Sequence, residues 1–139
     1  MKTKKRVVVI LIVVIGIVAV FVATVLLVGQ QLDKGLSTFE GLELTDPDLT
    51  QIPDGVYYGS FAQMPIAVEV EVTVVNHTIT DIRLLKHDNG MGGDAEAIPA
   101  QVVAAQSVEE IDAVSGATYS SKAILKAIEQ ALSAAKPAR

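Results

Sequence analysis

The stretch "IAVEVEVTVVNHTITDIRLL", Ile66 to Leu85, decides the fold. In its first half Val68, Val70, Val72 and Val74 alternate with Glu69, Glu71 and Thr73. Strict period two puts the valines on one face of a strand and the polar residues on the other, so one face is buried and one is wet. Asn76-His77-Thr78 makes the turn, and the second half returns with Ile82 and Leu84 on a shared face. An antiparallel hairpin lying on a core is expected. Glu69 and Glu71, two apart on the wet face, read as solvating groups, not a paired acid and base. The same turn matches a glycosylation sequon, read as incidental in so tight a bend, with His77 simply exposed.

The neighbours of the hairpin extend this pattern. Upstream, "GVYYGSF" (Gly55 to Phe61) joins aromatic and β-branched residues between glycines and reads as a further strand. Downstream, "KHDNGMGGDAE" is a loop in which Gly90, Gly92 and Gly93 crowd together. "AEAIPAQVVAAQS" follows as a helix with Pro99 near its start, where proline is tolerated. "EEIDAV" (Glu109 to Val114) reads as a short strand. The closing helix, "SKAILKAIEQALSAA", sets Ile124, Leu125, Ile128 and Leu132 on one side. No internal repeat is visible. This order of elements predicts an α+β domain, a small antiparallel sheet packed with two helices.

The first third of the chain is of another kind. Val7 to Gly29 is a run of 23 residues without an ionisable side chain. As a helix it spans roughly 35 Å, enough to cross a hydrocarbon core of about 30 Å. It is too long for the apolar region of a cleavable signal and reads as a retained transmembrane anchor. Lys2, Lys4, Lys5 and Arg6 precede it, which puts residues 1–6 in the cytoplasm and everything after the anchor outside, in the cell membrane as a single-pass protein. Leu32, Leu36 and Phe39 keep helical spacing beyond it, and the turn-rich "GLELTDPDLTQIPDG" reads as the rest of a juxtamembrane linker, residues 30–53. The folded domain is expected at 54–139.

Composition closes several routes. With zero cysteines there is no disulfide, thiolate metal site, iron–sulfur cluster or cysteine-linked haem or lipid. The whole chain carries −5 and the four basic tail residues account for four positive charges, so residues 30–139 carry −9. Such a domain repels phosphate backbones, which excludes nucleic acid as a partner. His87, Asp88, Asp94 and Glu96 share no spacing with a known metal site and read as a solvated loop.

The remaining segment of interest is "DAVSGATYSS", Asp112 to Ser121, with the four aliphatic hydroxyls of Ser115, Thr118, Ser120 and Ser121 around a Gly-Ala turn. Ser120 or Ser121 suits the N-cap of the closing helix, and Gly116 permits the turn. The other reading is an anion site, since a glycine turn feeding a helix N-terminus offers unpaired N–H groups to a phosphate. The residues alone leave both readings open.

In context the segment resembles the flavinylation motif of the FMN-binding domain. That domain occurs in the C and G subunits of the Na+-translocating NADH:quinone reductase and Rnf complexes and in small extracytoplasmic flavoproteins. "DGVYYGSF", "VEVTVVNHTITDIRLLKH", "GMGGDAEAIPAQVVAAQS" and the last helix follow in that family's order, roughly from Asp54 to Leu132. The resemblance implies FMN joined by its phosphate to the hydroxyl of Thr118. Asp112, Ser115, Gly116 and Ala117 would be recognised around it by a transferase that takes FMN from FAD. The chain is much shorter than the respiratory subunits.

The expected protein is therefore a membrane-anchored, extracytoplasmic flavoprotein that carries electrons to or from a partner protein or quinone, and not a stand-alone catalyst. The loop His87–Gly93 is expected against the flavin ring, with Gly92 and Gly93 allowing close backbone approach. The alternatives are non-covalent FMN binding and a non-redox surface module.

Overall fold

The computed structural model describes residues 1–88, 90 and 92–135, side chains excepted at 2–4 and 31–36. It forms two compact units, Met1–Lys34 and Gly35–Arg139. Helix α1 (Lys2–Glu40) makes up nearly all of the first and there contains an apolar run, Lys5–Gln30, with a mean hydropathy of 3.4 and none of it buried within the protein. Its length and composition are compatible with a single-pass membrane anchor. Thr24 returns its hydroxyl to the Val20 carbonyl at 2.8 Å, so this polar side chain satisfies itself within the helix.

The second unit is built on a three-stranded antiparallel sheet in the order β1 (Gly55–Gln63), β2 (Ile66–Val75), β3 (Thr78–Asp88). Asn76 and His77 both take positive φ, 50° and 60°, the backbone of a two-residue hairpin turn that matches strand twist. Val68, Val70, Val72 and Val74 are essentially inaccessible, and α3 (Thr118–Ala134) lies over them with Ile124, Leu125, Ile128 and Leu132 turned inward. The helix comes very close at Gly59: a Cβ there would sit 2.0 Å from the Ala127 carbonyl oxygen. A shorter helix, α2 (Ile98–Ala105), packs on β3. It ends at Gln106 in the left-handed region, whose amide makes bonds of 2.8 Å to both the N–H and the carbonyl of Ile79. The α+β class and the packing of two helices on the sheet are as the sequence implies.

Two expectations change. Residues 109–114 form no strand: Ile111 and Val114 are three apart, not two, and the Glu109 N–H is already taken by the Asp46 carboxylate. The compact unit also reaches back to Gly35. The stretch read as a linker gives the core two of its fully buried residues, Phe39 and Ile52. Of the glycine loop, Asn89 and Met91 lie outside the described residues, as do the side chains of Leu32 and Leu36.

Candidate functional site

The segment before α3 is a tight turn. The Ala117 N–H donates to the Val114 carbonyl at 3.0 Å across Ser115 and Gly116, and Gly116 has φ +82°. A turn with positive φ at its third residue favours glycine there. Ser121, fully buried, braces it from the first turn of α3: its hydroxyl accepts the Val114 N–H at 3.0 Å and donates to the Ala117 carbonyl at 2.9 Å. Capping by Ser120 or Ser121 is therefore corrected. The residue at the N-cap is Ala117, no side chain caps the helix, and both serines lie inside it. A serine cap would have needed extended backbone at 120 or 121, and both are already helical.

As a result α3 begins with the N–H groups of Thr118, Tyr119 and Ser120 uncapped and with no acidic residue in its first turn. Thr118 is exposed at that end, with Ser115, Gly116 and Asp112 also exposed and Ala117 buried beneath. Positive dipole, free amides and an accessible hydroxyl meet at one point.

The second group of expected site residues starts from the sheet. Phe61, Val68 and His87 face one another in one cross-strand row. The Phe39 ring spans from Phe61 (centroids 5.7 Å apart) to Tyr119 (5.4 Å), so the Phe61 end of that row lies beside the start of α3, with His87 at its other end on β3. The His87 side chain is only 3% exposed, and its Nδ1 lies 3.4 Å from Glu96 Oε1. Gly92 is buried and its carbonyl accepts the Ala95 N–H at 3.1 Å; Gly93, exposed, opens a short 3-10 turn, Gly93–Ala97, that packs toward α3. Gly90 has φ +56°. Among the described residues no group of three or more His, Asp or Glu could hold a metal ion.

Sequence reasoning did not find Ser121 as a brace, nor Phe39 and Asp46. The Asp46 carboxylate takes the Ser107 hydroxyl, the Val108 N–H at 2.6 Å and the Glu109 N–H at 3.2 Å. Its only trace in sequence is an Asp-Pro pair in a turn-rich stretch, a pattern that normally marks a loop.

A family model for the FMN-binding domain matches residues 64–133, from the end of β1 through nearly all of α3. The chain belongs to the FMN-binding domain family. Comparison with curated proteins gives no match. The matched region of this FMN-binding domain contains the turn at 114–117, Thr118, His87 and the glycine loop, and it stops short of Phe39 and Asp46. The uncapped start of α3 fits a phosphate-bearing cofactor, because it supplies N–H donors and a positive end that suit an anion.

Proposed function

We propose that the protein carries FMN covalently, as a phosphoester on Thr118, and moves electrons on the outer side of the cell membrane to which α1 anchors it. The observation that carries this is the exposed Thr118 hydroxyl at the uncapped N-terminus of α3, in a chain of the FMN-binding family. Attachment is a transfer from FAD by a flavin transferase. Thr118 Oγ1 bonds to the FMN phosphorus, the pyrophosphate bond breaks, AMP leaves, and the hydroxyl proton passes to the transferase. No base is needed in this chain. The bound flavin supplies the redox chemistry; the protein supplies tether, orientation and field.

A covalent tether suits a domain facing a dilute medium, where any finite dissociation constant lets a cofactor escape. The acidity of residues 30–139 would favour a redox partner with a basic surface. Expression with a transferase, followed by a denaturing gel under ultraviolet light, tests the reading. Wild type should fluoresce, Thr118→Ser should keep some label and Thr118→Ala should be dark, with intact mass giving one FMN phosphoester. A dark wild-type band with FMN released into solution would mean non-covalent binding. Fluorescent Thr118→Ala would place the bond elsewhere.

A further inference from the structure

The segment 37–54 is bonded to the domain on both sides of the Asp112–Thr118 turn. Just before the turn, the Asp46 carboxylate holds the Ser107 hydroxyl and the N–H groups of Val108 and Glu109. Just after it, the fully buried Phe39 ring packs on Tyr119, and Lys122 Nζ donates to the Phe39 carbonyl at 2.7 Å. One helical turn further on, Lys126 Nζ reaches the Glu43 carbonyl at 3.1 Å. The turn itself stays exposed at Ser115, Gly116 and Thr118. So the strap fixes both ends of the loop and leaves its middle accessible. None of the strap falls within the residues that match the family model.

Resting on the flavinylation reading above, we propose that this strap presents Thr118 to the transferase, with Phe39 and Asp46 as its positioning residues. A loop clamped at both ends is offered to an enzyme in one geometry. Released at either end it samples many, and only the competent fraction binds, so the apparent affinity falls by that fraction. The chemistry at the hydroxyl is untouched. The strap therefore acts on the KM of the transferase for this protein and leaves kcat in place.

The test uses the full chain in detergent, a purified FAD-dependent flavin transferase and FAD, with in-gel flavin fluorescence followed in time over a range of protein concentrations. Phe39→Ala and Asp46→Ala should each raise the apparent KM by about tenfold while reaching the wild-type plateau of labelling. Phe39→Leu, which still fills the site, should recover part of the loss. Asp54→Ala is the control: Asp54 also ties this segment to the domain, accepting the Asn76 N–H at 2.7 Å, but at the β2–β3 hairpin and away from the motif. It should label as wild type does. If Phe39→Ala fails to fold, Asp46→Ala, at an exposed carboxylate, still decides the matter. Unchanged KM in folded Asp46→Ala, or an equal rise in Asp54→Ala, overturns the proposal. A wild type that takes no label overturns the flavinylation reading itself, and this inference with it.

Discussion

Gly116 shows what the turn costs. Its φ of +82° lies where a side chain is strained, yet a Cβ there would meet nothing within 4 Å. Gly116→Ala should therefore cost only backbone strain, about 1–2 kcal/mol. Thermal denaturation should show a drop of about 5–10 °C, with the domain still folded. Tyr58, on the open face of the sheet, gives a pH test. The neighbouring Glu71 carboxylate, as acceptor and as negative charge, holds the Tyr58 phenol above the ordinary value of 10.0, with a smaller push from desolvation and with Arg83 opposing. The neutral phenol is the favoured form in the folded state, so its contribution is present below pH 10.0 and is lost as pH rises through the folded-state value. Phenolate absorbance should show one tyrosine titrating late in wild type and earlier in Glu71→Gln; identical curves would remove Glu71 as the cause. At this scale the sequence was legible where a single residue type answers a local need, as at Gly116. It was not at Ser121, whose hydroxyl matters because Val114 folds back onto it. A serine before a helix looks the same whether it caps or braces.

The hairpin was readable because alternation is a property of the strand itself. "EEIDAV" misled because six residues are too few to separate periods of two and three once tertiary bonds compete. Two contacts between elements now carry testable weight. Gly59→Ala pushes a Cβ to 2.0 Å from one backbone atom of α3, Ala127 O, and to 2.7 Å from another, Ala131 N. Neither can rotate away, so α3 must lift from the sheet, at about 3 kcal/mol or more. That is a large share of the roughly 5–15 kcal/mol that holds a domain together. Denaturant titration should show it; a variant within about 0.5 kcal/mol of wild type would mean that sheet and helix are less tightly spaced than described. Gln106→Ala removes the amide that serves both backbone groups of Ile79 and should cost about 2 kcal/mol by the same measurement.

For the molecule as a whole, hydropathy alone exposed a helix compatible with a membrane anchor, since 23 uncharged residues need no partner to be recognised. The strap was hidden for the opposite reason. Gly41, Pro47 and Pro53 mark the stretch after α1 as irregular, which most of it is, but irregular chain can still be packed, and Phe39 in the last turn of α1 and Ile52 beyond it become core only against residues far along the sequence. The basic residues ahead of the apolar run predict an orientation. With the basic tail inside, protease added to right-side-out vesicles should digest the domain side, and protection until the membrane is broken would reverse that topology.

The strap also dictates where the chain can be divided. Between Lys34 and Arg83 there is no lysine or arginine, so every tryptic site in the strap and the first two strands is absent. Arg83 itself is inside β3 and paired to Glu71 at 3.1 Å. A trypsin cut after Lys34 should then leave a fragment beginning at Gly35 with its strap intact, in solution and able to bind FMN. A fragment started by design at Asp54 would instead leave an apolar trough where Phe39 and Ile52 had been, and should precipitate.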